Sequence, residues 1–286
     1  MSSPTLHKGV IFGATGFIGT HLSKHFAKSG HDLILVGSDK ERLEMLRKEI
    51  ELESDVDLVF ITIDKNNFNL VEFHNGLKDY LNNISFFINT IGDQNPIGSF
   101  VDLNFEDWQR NIEINFLLQA KLLHYFARHF VDLGSGSIVV FSGGGSSNSR
   151  PQFSAYASAK TGLVRLVEIL GQEMFSHGVK INAIAPGIIP SVMQNEILKN
   201  KKVVSTSEYL SASKALKNTN FNPKKIIDLI EFLISNESEG ISGKLISAEW
   251  DRWWEWPTSI DEIRNSDYYT LRRIIRKDVN ESWDSK

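Results

Sequence analysis

Val10-Ile11-Phe12-Gly13-Ala14-Thr15-Gly16-Phe17-Ile18-Gly19 is the stretch that decides the fold. Three strand-forming residues run straight into a turn whose glycines recur every third position. A helical pattern then runs from Phe17 to Ser29. Glycine lets a backbone turn tightly and come close to a ligand, and a helix N-terminus offers unpaired N–H groups and the positive end of a dipole. Strand, glycine turn and helix in that order suit a pyrophosphate, with Gly13, Thr15, Gly16, Phe17, Ile18 and Gly19 as its expected neighbours. The competing reading is a turn whose glycines only pack helix on strand.

The rest of the chain repeats the rhythm. Short β-branched runs are expected as strands at 10–12, 32–36, 58–61, 85–89, 137–141, 180–184 and 244–247. Helical patterns fill 17–29, 39–52, a weaker stretch ending near Leu81, 105–131, 155–177 and 223–235. Short, wholly apolar strands belong to a parallel sheet buried on both faces, and regular β-α-β alternation predicts an α/β doubly wound parallel sheet of about seven strands with helices on both faces. One domain is expected over 1–250, with the polar segment 191–222 as a substrate loop or lid and 251–286 as a tryptophan-rich tail.

With 286 residues, 41% of them hydrophobic, the chain has ample material for one large core. No cysteine is present, which excludes disulfides, thiolate metal sites and a cysteine nucleophile, and fits a reducing cytoplasm. The net charge of −4 gives no electrostatic reason for nucleic acid or an anionic membrane as partner. Glycines interrupt the first apolar run, so no signal peptide is expected, and no stretch approaches the roughly 18 apolar residues of a membrane span. No metal-ligand spacing appears among the eight histidines.

At the end of the second strand stand Ser38, Asp39 and Lys40. An acid there binds the ribose diol of NAD, whereas Ser38 and Lys40 suit a 2′-phosphate; the balance favours NADP(H) over NAD(H). Asp39 also reads as a helix N-cap. Later, Tyr156-Ala-Ser-Ala-Lys160 places a phenol and an ammonium on one helix face, one turn apart. Hydride transfer to a carbonyl creates an alkoxide that needs a proton. Bringing a phenol from a pKa of about 10 to near 7 takes about 4 kcal/mol, which a close lysine and a cationic cofactor are expected to supply. The spacing alone is weak evidence; its context decides.

Taken together these residues resemble the short-chain dehydrogenase/reductase family over about residues 8–247. The ordered set adds Asp64 after the third strand, Asn89-Thr90-Ile91-Gly92 after the fourth, Asn115 in the long helix, and Pro186-Gly187 with Ser191 after the sixth. The resemblance implies a Rossmann fold and an NAD(P)-dependent oxidoreductase acting on ketones and secondary alcohols. Asp64 would contact the adenine, Asn89 and Gly92 would line the groove, and Ile189 and Ser191 would meet the carboxamide. Tyr156 would transfer the proton, Lys160 would hold the ribose hydroxyls, and Asn115 would hold a relay water. Family members commonly form homodimers or homotetramers through two long helices, here 105–131 and 155–177.

Three departures stand out. The glycine spacing resembles the family's extended branch while the remaining motifs resemble the classical one. The position of the family's catalytic serine, thirteen residues before the tyrosine, is Gly143 within Phe141-Ser142-Gly143-Gly144-Gly145-Ser146-Ser147. Ser142 is the nearest hydroxyl, but it points to the other side of an extended chain unless the glycines twist it; Ser146 or a backbone N–H are alternatives. After the last strand, Ala248-Glu249-Trp250-Asp251 replaces a common Gly-Gly. Trp250, Trp253, Trp254 and Trp256 are expected as packing or interface anchors, or else as a stacking platform for a sugar or nucleotide. The 244–254 segment resembles oxidoreductases encoded with bacterial surface-polysaccharide genes, which implies a small-molecule substrate of the sugar or sugar-phosphate class. The alternatives are a catalytically impaired nucleotide-binding regulator, which Gly143 would suit, and a non-redox lyase or epimerase.

Overall fold

A computed structural model describes residues 7–274. Seven parallel strands form one sheet in the order β3-β2-β1-β4-β5-β6-β7. They are β1 (Lys8–Phe12), β2 (Asp32–Gly37), β3 (Leu58–Thr62), β4 (Ile84–Asn89), β5 (Gly136–Phe141), β6 (Val179–Ala185) and β7 (Leu245–Ser247). The order reverses between β1 and β4, so the carboxyl ends of these two strands open a crevice, the usual ligand position in such a sheet.

Side chains alternate across the sheet with the period of two that a strand imposes. Ile11, Leu33, Leu35, Ile88, Val139 and Ile184 face one helical layer: α1 (Phe17–Lys28), α2 (Lys40–Glu51) and α9 (Lys224–Ile234). Val10, Phe12, Ile34, Val36, Phe87 and Val140 face the other: α3 (Leu70–Leu77), α5 (Leu118–Leu133) and α6 (Ser154–Glu173). Each fully buried aliphatic side chain contributes about 1.5–3 kcal/mol, so the two layers hold the sheet rigidly beneath the crevice.

The expected helix over 105–131 is not continuous. It is α4 (Phe105–Ile112), a π turn (Glu113–Leu117) and then α5. π turns appear mostly as single turns inside α-helices, frequently at functional sites. Here Asn115 is fully buried, and its Nδ2 donates to the Asn111 carbonyl of the preceding turn at 3.1 Å. Its Nδ2 donates to the Asp93 carbonyl at 2.6 Å and to Asn111 Oδ1 at 2.9 Å, and its Oδ1 accepts from the Asp93 N–H at 3.0 Å.

Segment 191–222 carries two helices, α7 (Val192–Lys199) and α8 (Thr206–Lys217). Ile197, Val204 and Ala212 of this segment share a small apolar cluster with Ile97 and Phe153, apart from the main core. The tail packs on the body through Leu271, whose N–H donates to Glu168 Oε1 and whose carbonyl accepts from Arg165. Trp253 stacks on Phe232 of α9 at 5.6 Å, Trp256 lies 4.5 Å from the Tyr269 ring, and both tryptophans are buried. Trp250 and Trp254 are exposed. Leu245 N–H of β7 donates to the Tyr269 carbonyl, and Ser247 N–H donates to Asp251 Oδ2. Short α10 (Ile260–Asn265) lies between these contacts. The expected tail continues over 275–286, outside the described residues. No helix among the described residues is long and apolar enough to cross a membrane.

Candidate active site

A cavity of about 940 Å³ occupies the crevice and joins the glycine turn to Tyr156 and the lid. At one end Gly13 adopts φ +88°, a conformation that L side chains rarely take. A Cβ built on Gly16 would meet only the Gly13 carbonyl, at 3.1 Å; the space beyond is open. Asp39, Asn69 and Asn104 cap α2, α3 and α4 with their side chains, whereas α1 starts at Gly16 with no side-chain cap. A helix N-terminus with free N–H groups and an open groove in front of it is a cradle for a pyrophosphate, so these residues fit a dinucleotide. Gly19 lies inside the first turn of α1, where its Cβ would stand 2.1 Å from the Gly13 carbonyl oxygen. Its role is close packing of helix on turn.

At the tip of β2, Asp39 accepts the Arg42 N–H at 3.0 Å and serves as the α2 N-cap. Ser38 borders the cavity, and so does Arg42, whose Nη2 donates to the Thr15 carbonyl at 2.5 Å. Lys40 does not border it. Arg42 escaped the sequence reading, although its place one turn into α2, beside the glycine turn, was a usable signal. Asp64 is exposed and accepts the Asn66 N–H at 2.9 Å; its neighbours Ile63 and Lys65 line the cavity. Asn89 sits one layer below the groove, bonded to Gln119 Oε1 and the Ile91 N–H. Gly92 lines the groove directly; a Cβ there would lie 3.5 Å from Asn115 Oδ1 and 3.8 Å from Lys160 Nζ, so one glycine marks where the asparagine and the lysine converge. Pro186, Gly187, Ile189 and Ser191 complete the far wall.

Tyr156 and Lys160 rise from the first turns of α6, and both are buried. Lys160 Nζ donates to the Phe141 carbonyl at 2.7 Å and the Ile91 carbonyl at 3.3 Å. An ammonium has three N–H donors, so one stays available. Its Nζ stands 5.9 Å from the Tyr156 ring centre. Burial holds the lysine down at about 7 and pushes the tyrosine up to about 12, with the Arg150 guanidinium pulling the tyrosine the other way. The expected drop of the phenol toward neutrality is thus absent in the protein alone. Desolvation disfavours both charged forms, and it outweighs a lysine whose protons go to carbonyls.

The glycine-rich loop after β5 is pinned to α6. Thr161 Oγ1 donates to the Gly145 and Ser146 carbonyls, both at 3.2 Å, and Gly145 needs φ +95° to pass Ala157. Ser142 Oγ donates to Ser146 Oγ at 2.8 Å, and both are buried. Arg150 lies over the Phe153 ring at 3.7 Å and forms a two-pronged ion pair with Glu208 of α8, at 2.7 and 2.8 Å. Gln94 Nε2 donates to the Met193 carbonyl of α7. These contacts fix α7 and α8 along the cavity wall. The Arg150–Glu208 pair was not legible in sequence, because 58 positions separate the partners.

Residues 9–202 match the family model described as short chain dehydrogenase. Among curated proteins, the chain is 24% identical over 237 residues to 3-oxoacyl-[acyl-carrier-protein] reductase FabG of Rickettsia bellii, covering 83% of this chain and 92% of that one. Among solved structures, NAD+-bound xylitol dehydrogenase superposes with a TM-score of 0.75 at 19% identity, covering 84% of this chain and 96% of that one. A short chain dehydrogenase of Shigella flexneri complexed with NADP gives 0.73 at 18% identity, with 87% and 100% covered. With the seven-stranded sheet, the glycine cradle and the buried tyrosine and lysine on one crevice, the chain belongs to the short-chain dehydrogenase family of NAD(P)-binding oxidoreductases.

Proposed function

We propose that this enzyme interconverts a ketone and a secondary alcohol with NADP(H), on a hydroxyl-rich substrate of the sugar or sugar-phosphate class. The observation that carries the reading is the single cavity shared by the glycine cradle, Tyr156 and Lys160. A nicotinamide cofactor held by its pyrophosphate at the glycine turn would supply the hydride. Tyr156 Oη gives its proton to the carbonyl oxygen as that oxygen gains charge. A phenol near 12 is fully protonated at neutral pH, the form that reduction needs. Lys160, near 7, passes protons between the tyrosine side of the site and solvent, with a water held beside Asn115 as the next carrier.

Two placements support the cofactor preference. Asp39 is engaged as a helix cap, and Arg42 stands at the groove beside Ser38, where a guanidinium suits a phosphate. The substrate class rests on the lining of the lid end, where Ser147, Asn148, Ser149, Ser207 and Ser211 present hydroxyl and amide groups. The test is NADPH absorbance with a panel of keto-sugars, comparing wild type with Tyr156→Phe. Loss of about 10²–10⁴-fold in rate is expected. Equal rates would sink the tyrosine's role, and tight NADPH binding with no turnover would favour the regulator.

A further inference from the structure

Gly143, where a serine is expected, lies directly against the tyrosine. A Cβ built on Gly143 would stand 2.1 Å from Tyr156 Oη, 2.7 Å from Cζ and 2.9 Å from Cε1. The hydroxyl oxygen and two ring carbons lie inside contact distance, so turning the hydroxyl does not clear the overlap; the ring itself has to shift. Its freedom to shift is small. Tyr156 is 6% exposed, its helix is tied to the loop by Thr161, and Gly145 already presses on Ala157, where a Cβ would lie 2.7 Å from the alanine methyl. Ser142 offers no spare hydrogen to a substrate, since its hydroxyl donates to Ser146.

We propose that Gly143 is a positioning residue: its missing side chain gives Tyr156 its working place, the tyrosine hydroxyl stands where a serine at 143 would project, and restoring that serine abolishes activity instead of improving it. The proposal rests on the reading of Tyr156 as the proton donor. A phenol carries one proton and accepts with its lone pairs, so Tyr156 both polarises the carbonyl oxygen and protonates it. No separate hydroxyl is required.

The experiment compares wild type, Gly143→Ala, Gly143→Ser, Tyr156→Phe and the Gly143→Ala/Tyr156→Phe double variant. Three quantities are read: ketone reduction with NADPH, NADPH affinity by nicotinamide fluorescence, and melting temperature. Both Gly143 variants are expected to lose about 100-fold or more in kcat while NADPH affinity stays within about threefold. Gly143→Ala is expected to lower the melting temperature less in the Tyr156→Phe background, because the nearest clashing atom is then gone. Ultraviolet titration of tyrosinate, read as the difference from the matching Tyr156→Phe protein because Tyr125 also lies near 12, is expected to show Tyr156 moving down from about 12 in Gly143→Ala, as the displaced ring meets solvent. A Gly143→Ser enzyme with wild-type or higher kcat overturns the proposal. So does an Ala penalty in melting temperature that is the same in both backgrounds. If wild type reduces no ketone, the proposed reaction fails, while the melting-temperature coupling and the tyrosinate titration still decide the role of Gly143. Should the single Gly143 variants not accumulate, a double variant that also fails to fold overturns it.

Discussion

The two walls of the crevice are built by opposite means. On the β1–α1 wall the working groups are backbone: glycines at 13, 16 and 19 and an uncapped helix end. On the β5–α6 wall they are side chains, Tyr156, Lys160 and Arg150, held by buried hydrogen bonds and by an ion pair to α8, which comes from far along the chain. A backbone wall binds whatever shares a pyrophosphate. A side-chain wall sets chemistry and selectivity, and it carries the replacement of the family's serine by Gly143. Substitutions on the two walls therefore separate binding from turnover.

The largest effect that breaks the comparison is steric. Gly19→Ala places a methyl 2.1 Å from the Gly13 carbonyl oxygen, so about 1–3 kcal/mol of stability and affinity for both NAD(H) and NADP(H) are expected to fall together. Calorimetry and nucleotide titration read this, and an unchanged cradle would show that the turn yields easily. Next comes pH. Lys160 is depressed to about 7, so its ammonium is lost as pH rises through 7. Reduction kcat/KM is expected to fall above that point by about tenfold per unit, and Lys160→Met is expected to lack that limb. A limb that persists in Lys160→Met belongs to another group.

Arg42→Ala sharpens the comparison at the edge of the backbone wall. Removing a charged donor is expected to weaken NADPH binding by about tenfold or more and to leave NADH unchanged. Equal losses for both cofactors would return Arg42 to a role in holding the turn through Thr15. The smallest effect is on the lid. Glu208→Gln leaves one acceptor for Arg150 but removes the charge of a partly exposed pair, so KM is expected to rise by about twofold to fivefold with kcat little changed. Steady-state kinetics at two salt concentrations check it.

Most of the backbone wall was legible in the sequence. Strand, glycine turn and helix are local, and periodicity placed all seven strands because a buried parallel strand is an uninterrupted apolar run. Asp39 as N-cap was legible for the same reason. The side-chain wall was only half legible. Tyr156 and Lys160 are one turn apart on one helix, so their pairing is local; their proton affinities in the protein alone depend on burial by distant segments, which spacing does not reveal. The π turn at Asn115 needs the Asp93 backbone, and the lid latch needs Glu208; neither partner is near in sequence. Of the four clustered tryptophans, Trp253 and Trp256 proved to be packing anchors, because α9 and Tyr269 supply surfaces for them.

The last strand, β7, is three residues long and forms the border of the sheet. Its two outward-facing amides are not offered to a foreign strand. The Tyr269 carbonyl takes one and the Asp251 carboxylate takes the other. A bare sheet border recruits other chains and seeds aggregation. Here the segment after the catalytic body acts as a built-in guard rail, and shortening it ahead of Tyr269 would turn a closed margin into a sticky one.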